Sequence, residues 1–312
     1  MQPDTVMTSL KTSNMKRLSI IIVTHNSETH IYDCLQSIDR YTDIAREQLE
    51  IIVVDNCSDD CEQMFARLRS KYGEQITLIS NSTNTGYGHG NNVGIRAAHA
   101  PVILIMNPDV RLCMPCLNEC VSAFDSDEQL LLLGMQQLRM PQKIVMSFDV
   151  TRNHNGVWAE LLTVAANKCA WYIPSLMWLS GACFFLKKEP FMSIGGFDEQ
   201  NFMYGEECDI HYRLKQQYGA HFRFIRHLRY LHLTGNRIPD EQYFLRLLRA
   251  DIFLYGKKGY APATIRKHYL QKARTTLLLT RVATLLGLKS KQDVETCRRA
   301  INTYKNFNIP KE

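Results

Sequence analysis

Apolar and polar positions follow two rhythms along the first hundred residues. Residues 18–23, "LSIIIV", are a continuous apolar run of strand length, and residues 28–41 then place Ile31, Leu35 and Ile38 at helical spacing. The pair repeats. "LEIIVV" at 49–54 precedes a helical stretch at 60–73 that Gly73 stops, "ITLIS" at 76–80 precedes one at 90–100, and "VILIM" at 102–106 closes the series. Short β-branched runs separated by helices predict an α/β fold built on a parallel sheet.

Such sheets bind ligands outside the carboxyl ends of their strands, so the residues after each apolar run matter. Thr24-His25-Asn26-Ser27 follow the first run, Asp55-Asn56-Cys57-Ser58 the second, Asn81 and a glycine run the third, and Asn107-Pro108-Asp109 the fourth. Any one of these reads equally as an ordinary turn. Four in register predict a cleft for a polar ligand. The glycine run "GYGHGNNVG" lacks the spacing of a dinucleotide fingerprint. Its place ahead of an expected helix start at residue 90 suits phosphate oxygens. A diphosphate calls in turn for a hard cation, Mg²⁺ or Mn²⁺, and Asp109 is placed to supply a carboxylate.

Six ordered motifs, "SIIIVTHNS", "IIVVDNCSDD", "NTGYGHGNNVGI", "ILIMNPDV", "SGACFFLKKEPFMSIGGFDEQNFMYGEECDIHYRLKQQYG" and "YLHLTGNR", together resemble glycosyltransferase family 2 with the GT-A fold, in its bacterial rhamnosyltransferase-like branch. The resemblance runs from about residue 18 to 237 and implies a mostly parallel central sheet flanked by helices, with a C-terminal helical extension. It implies that Thr24 and Asp55 hold the nucleotide base and ribose and that Asn26, Asn84, Gly86, Asn91, Asn107 and Asp109 belong to the donor site. Asn107 and Asp109 stand at the family's Asp-x-Asp metal motif, with Asn107 replacing its first Asp, and His232 would complete the metal shell. Gly196, Phe197 and Asp198 would meet the acceptor. Glu206, Glu207 and Asp209 stand where the family has Glu-Asp-x-Asp; Glu207 aligns with the general base, and Glu206 is the substitute for it. The implied reaction is an inverting transfer of a sugar, L-rhamnose from dTDP-L-rhamnose being the best match, from a nucleotide-diphospho-sugar to a hydroxyl of a polyprenyl-diphosphate-linked saccharide. Such a step belongs to assembly of cell-surface polysaccharide of the O-antigen or capsule type.

Spacing alone leaves other readings open. Acidic residues in a first helical turn also serve the helix dipole, and a His after an alternating strand is often structural. Cys113, Cys116 and Cys120 form C-x₂-C-x₃-C without a fourth ligand nearby and read as core or surface thiols. A non-catalytic nucleotide-sugar-binding protein of the same fold would need Asp109 but not Glu207. A sugar nucleotidyltransferase would carry a glycine-rich loop with Arg and Lys after the first strand, and "VTHNSETH" has neither.

Composition changes the picture in two places. The ten cysteines follow no secreted framework, the first apolar run is too short for a signal peptide, and no apolar run reaches membrane-spanning length, so the expected location is the cytoplasm. Charge is uneven: residues 240–312 hold 15 Lys and Arg against 6 Asp and Glu, leaving 22 against 25 for the rest of the chain. The expected layout is therefore an N-terminal extension at 1–17, a catalytic domain at 18–239 (donor half to about 112, acceptor half from 113), and a basic amphipathic helical tail at 240–312. In that tail Lys257, Lys258, Arg266 and Lys267 stand among leucines and aromatics, which suits an anionic membrane surface and a peripheral position on the inner face of the cell membrane. Packing on the catalytic domain or in a homo-oligomer is the alternative, and no nucleic-acid module accompanies the charge.

Overall fold

The computed structural model describes residues 15–139, 143–150, 156–233 and 239–309. Strands β1 (Leu18–Thr24), β2 (Leu49–Asn56), β3 (Thr77–Asn81) and β4 (Val102–Met106) pair in parallel in the order β3-β2-β1-β4, joined through helices α1 (Glu28–Tyr41), α2 (Cys61–Tyr72) and α3 (Tyr87–Ala97). These strands read as unbroken apolar runs because the sheet is covered on both faces. In β1, Ile20 and Ile22 enter one core with residues of α1 and α2, while Ile21 enters the other with Ile95 of α3. Full burial of one such side chain contributes about 1.5–3 kcal/mol.

Beyond β4 the chain forms β5 (Val110–Leu112), α4 (Leu117–Ser126), β6 (Leu132–Arg139), β7 (Lys143–Ile144), β8 (Phe148–Val150), α5 (Gly156–Cys169), β9 (Met177–Leu179), β10 (Cys183–Lys187), α6 (Lys188–Ser193), α7 (Glu206–Tyr218) and β11 (Phe222–His232). The sheet continues β4-β10-β6-β11-β5, with β7 on β6, while β8 and β9 form a separate ribbon. Six of the eight strands on the main path point the same way; β10 and β5 run against them. The sheet is thus mostly parallel but mixed, and the antiparallel insertion of β10 has a consequence for the site. Cys183 pairs with Met106, so the residues just before β10 and those just after β4 leave the sheet at the same edge.

Cys116 and Cys120 are buried in the first core beside Cys34 and Cys183, and Cys113 is exposed. Burial pushes the Cys34 and Cys116 thiols up to about 12. Among the described residues no group of three or more His, Cys, Asp and Glu is placed to hold a metal; Cys116 and Cys120 pack in the core, and Cys113 is a surface thiol.

Helices α8 (Glu241–Gly256), α9 (Pro262–Leu285) and α10 (Lys291–Asn306) pack on one another around Phe244, Leu248, Tyr255, Ile265 and Tyr304. Several apolar residues expected to meet lipid are therefore inside this bundle. No helix among the described residues is long and apolar enough to cross a membrane. Of the expected N-terminal extension, residues 1–14 lie outside the described residues, as do residues 234–237 of the "YLHLTGNR" motif.

Candidate active site

The donor-side strand ends form an internal hydrogen-bond network. Register pairs Thr24 with Asp55. The Thr24 hydroxyl donates to Asp55 Oδ1 at 2.9 Å, while the Ser58 hydroxyl donates to Oδ1 at 2.5 Å and its N–H to Oδ2 at 2.8 Å. Asp55 is fully buried, so these bonds fix its carboxylate in place. Asn26 sits at the exposed rim with φ 50°; its N–H donates to Ser58 Oγ and its amide is paired with Asp59.

The glycine run departs from expectation. Helix α3 starts at Tyr87, three residues early, so Gly88 and Gly90 lie within it and let it approach Phe197, Val23 and Asn56. Only Gly86 precedes it, at φ 101°, where a Cβ would collide with the Phe202 backbone. The Gly86 N–H donates to Asn84 Oδ1 at 3.1 Å, its carbonyl accepts from Asn56, and the Tyr87 N–H is taken by the Phe202 carbonyl at 3.0 Å. Asn91 is buried and bonds back to the Tyr87 carbonyl. The run is a joint between the two halves of the fold, not a loop ahead of the helix.

The fourth strand end is built differently. Asn107 N–H donates to the Ala182 carbonyl at 2.9 Å, and the pairing of Val110 with His232 sets Asp109 beside the histidine. His232 Nε2 lies 3.3 Å from Asp109 Oδ2. Burial would raise the Asp109 carboxyl, but the hydrogen bond and charge of His232 outweigh it and hold it below the ordinary value. His232 Nδ1 is buried with no partner among the described residues. A carboxylate oxygen and an imidazole nitrogen converging in this way fit a two-residue seat for Mg²⁺ or Mn²⁺, with the other positions left to substrate oxygens and water.

Two further carboxylates reach the same edge. Glu206 and Glu207 open α7 behind Gly205. Glu206 is buried, its Oε1 has no partner among the described residues, and burial with the charge of Glu207 pushes it up to about 8. Burial likewise raises Glu207, against the pull of N–H groups that include Gly181's. The Glu207 carboxylate lies so close to Gly181 that a Cβ there would strike it. Tyr87 donates to the Gly181 carbonyl at 2.8 Å, and Gly181 adjoins Ala182, which holds Asn107. One short turn thus links the acid pair to the Asp109 loop. A dipole-stabilising acid needs only a solvated place in the first turn; a buried Glu206 beside a part-buried Glu207, both with raised proton affinity, marks a site.

Residues 19–146 match the family model for glycosyl transferase family 2. Over that stretch the chain is similar to glycosyltransferase family 2. Over 221 residues it is 25% identical to the N-acetylglucosaminyl-diphospho-decaprenol L-rhamnosyltransferase of Mycobacterium tuberculosis, covering 63% of this chain and 70% of that one. Over 135 residues it is 27% identical to the poly(ribitol-phosphate) beta-N-acetylglucosaminyltransferase TarS of Staphylococcus aureus; that stretch is 42% of this chain and spans only 23% of TarS. The GT-A-like fold is shared with the mannosyltransferase PcManGT of Pyrobaculum calidifontis, solved with GDP-Man and Mn²⁺, at a TM-score of 0.57, 16% identity, and coverage of 93% and 86%.

The expected site residues divide into two groups. Asp109, His232, Glu206 and Glu207 gather at one edge. Asp209 faces elsewhere: it accepts from Arg213 at 2.8 and 2.6 Å and pairs with Lys257 at 3.4 Å. Arg213 also donates to the carbonyls of Ile194 and Gly196. Asp198 pairs with the same Lys257, and Phe197 is buried with its N–H on Asn92 Oδ1. Ile194, Gly195, Phe197, Asp198, Glu199, Gln200 and Arg213 line an open cavity of about 520 Å³. The sequence reading assigned no role to Gly181, Tyr87 or His211, although "SGA" ahead of an apolar strand, where a small residue must admit a neighbouring side chain, carried a signal for the first. His211 bridges Glu207 to the next element: its ring lies 2.7 Å from the Glu207 carbonyl and accepts the Leu179 N–H at 3.1 Å.

Proposed function

We propose that this protein is an inverting glycosyltransferase that moves a sugar from a nucleotide-diphospho-sugar to a hydroxyl of a saccharide acceptor. The observation that carries this reading is the acid pair, a buried Glu206 beside a part-buried Glu207, held by the Gly181 turn at the edge where Asp109 and His232 converge. With Glu206 holding a proton, the Glu207 carboxylate carries the charge and takes the proton of the acceptor hydroxyl. The acceptor oxygen then bonds to the anomeric carbon as the bond from that carbon to the diphosphate oxygen breaks on the opposite face, which inverts the centre. Asp109 and His232 would hold a divalent cation, whose chemistry when bound is to neutralise charge on the departing diphosphate. The Thr24–Asp55–Ser58 network forms a rigid floor where the family resemblance puts base and ribose.

The mycobacterial relative acts, by its name, on a lipid-diphosphate-linked N-acetylglucosamine and transfers L-rhamnose. Its similarity supports dTDP-L-rhamnose as donor, a polyprenyl-diphosphate-linked saccharide as acceptor, and a place at the inner membrane face in cell-surface polysaccharide assembly. Thermal unfolding with a panel of nucleotide sugars and Mn²⁺ tests the reading, since a ligand at 100 times its Kd adds about 2.7 kcal/mol to stability. One donor is expected to raise the Tm of the native protein and not of Asp109→Ala, and chelator is expected to abolish transfer. A panel without any stabilising donor, or full turnover in excess chelator, overturns it.

A further inference from the structure

The end of α9 and the turn into α10 display a cluster of apolar side chains that no part of the described chain covers. Leu278, Leu279 and Val282 are exposed on the last turns of α9, and Leu285, Leu286 and Leu288 in the turn are 87%, 68% and 75% exposed. The opposite side of α9 is the buried one, with Ile265, Ala273 and Thr280. The turn is ordered by its own backbone: Leu286 N–H bonds to the Val282 carbonyl and Leu288 N–H to that of Ala283, at 3.1 and 2.8 Å. Ser290 and Asp293 then close a capping box that starts α10. A contiguous apolar patch of this kind on a defined turn marks a contact surface.

Charge identifies the partner. Residues 262–292 contain seven Lys and Arg and no Asp or Glu. Arg274, Arg281, Lys289 and Lys291 are exposed around the leucines, Lys289 also reaching Asp293 at 3.8 Å. A symmetric contact with a second copy would press this basic tip against itself with no acidic side chain in the segment to pair. An anionic lipid surface matches both features. We propose that the α9–α10 tip inserts into the interface of an anionic bilayer, with Leu285, Leu286 and Leu288 entering the acyl boundary and Arg281, Lys289 and Lys291 meeting the headgroups. The contact is confined to this tip, because Phe244, Leu248 and Tyr255 of α8 are buried in the bundle. It is independent of which sugar the protein transfers.

The test is co-sedimentation of the full chain with vesicles of phosphatidylcholine alone or mixed with phosphatidylglycerol. The native protein is expected to prefer the anionic vesicles and to lose that preference as salt is raised. The triple variant Leu285→Ser/Leu286→Ser/Leu288→Ser, at exposed positions, is expected to bind at least tenfold more weakly with an unchanged Tm. Lys289→Gln/Lys291→Gln is expected to remove the anionic preference. Equal binding to both vesicle types, or native-like binding by the triple variant, overturns the proposal. So does a native dimer that the triple variant dissociates, since that result assigns the tip to a second copy.

Discussion

Glu206 and Glu207 are neighbours in sequence and in space, and water reaches neither freely enough to solvate two negative charges. Burial first, and the adjacent charge second, push Glu206 to about 8. The folded chain therefore binds a proton here more tightly than the unfolded chain, whose Glu titrates near 4.3. Between those values the folded state holds more protons, so stability falls as pH rises through this window. Calorimetry of the free protein is expected to show Tm declining from pH 5 to pH 8, and Glu206→Gln is expected to flatten that decline. Parallel slopes for the two proteins would mean that the pair does not carry the proton. Transfer is expected to rise with pH on the acid side, as Glu207 loses its proton while Glu206 keeps its own. Glu207→Gln keeps the shape but cannot take a proton, so turnover is expected to fall roughly 10²-fold or more with donor binding retained. An inactive Glu206→Gln beside an active Glu207→Gln would move the base by one position.

At the scale of elements, the base depends on how α7 is held against the strand before Gly181. His211, one turn into α7, is the pin. Burial lowers its ring to about 4, against the pull of the Glu207 carbonyl, so it stays neutral at physiological pH, with Nδ1 donating to that carbonyl and Nε2 accepting the Leu179 N–H. His211→Ala strands a buried N–H, a cost of about 1–3 kcal/mol. It is expected to lower kcat while leaving the KM for the donor in place, and His211→Gln, which keeps a donor and an acceptor, is expected to restore part of the loss. An unchanged kcat in His211→Ala would remove the positioning role. The same elements show what the sequence could disclose. Strands β1 to β4 and the acidic start of α7 were legible because period and capping are local properties. The start of α3 was misread because a glycine-rich segment looks like a loop from within, and only its close contact with the sheet shows why a helix needs glycine there.

At the scale of the whole molecule, the helical tail and the catalytic portion meet through residues far apart in the chain, which is why this contact was not legible. Periodicity says that α8 has an apolar face but not what that face meets, just as it does not reveal that β10 inserts between β4 and β6. Lys257 pairs with both Asp198 and Asp209, Lys258 stands over the Tyr212 ring at 4.3 Å, Tyr243 packs edge-on to Tyr204, and Leu254 occupies the space beside Gly205. These contacts all fall on residues 198–205 or on α7, so the tail braces the segment that presents Glu206 and Glu207. Lys257, expected from the sequence to face lipid, is an exposed residue whose ammonium bridges two carboxylates. Lys257→Met leaves both without that cation, and is expected to cost about 1–2 kcal/mol, between the limits for exposed and buried pairs. Because the family resemblance puts the acceptor at the loosened turn, the KM for acceptor is expected to rise while donor-induced stabilisation persists, and Lys257→Arg is expected to retain most of the native behaviour. A Lys257→Met protein that keeps its Tm and acceptor KM but loses vesicle binding would return this residue to the lipid surface.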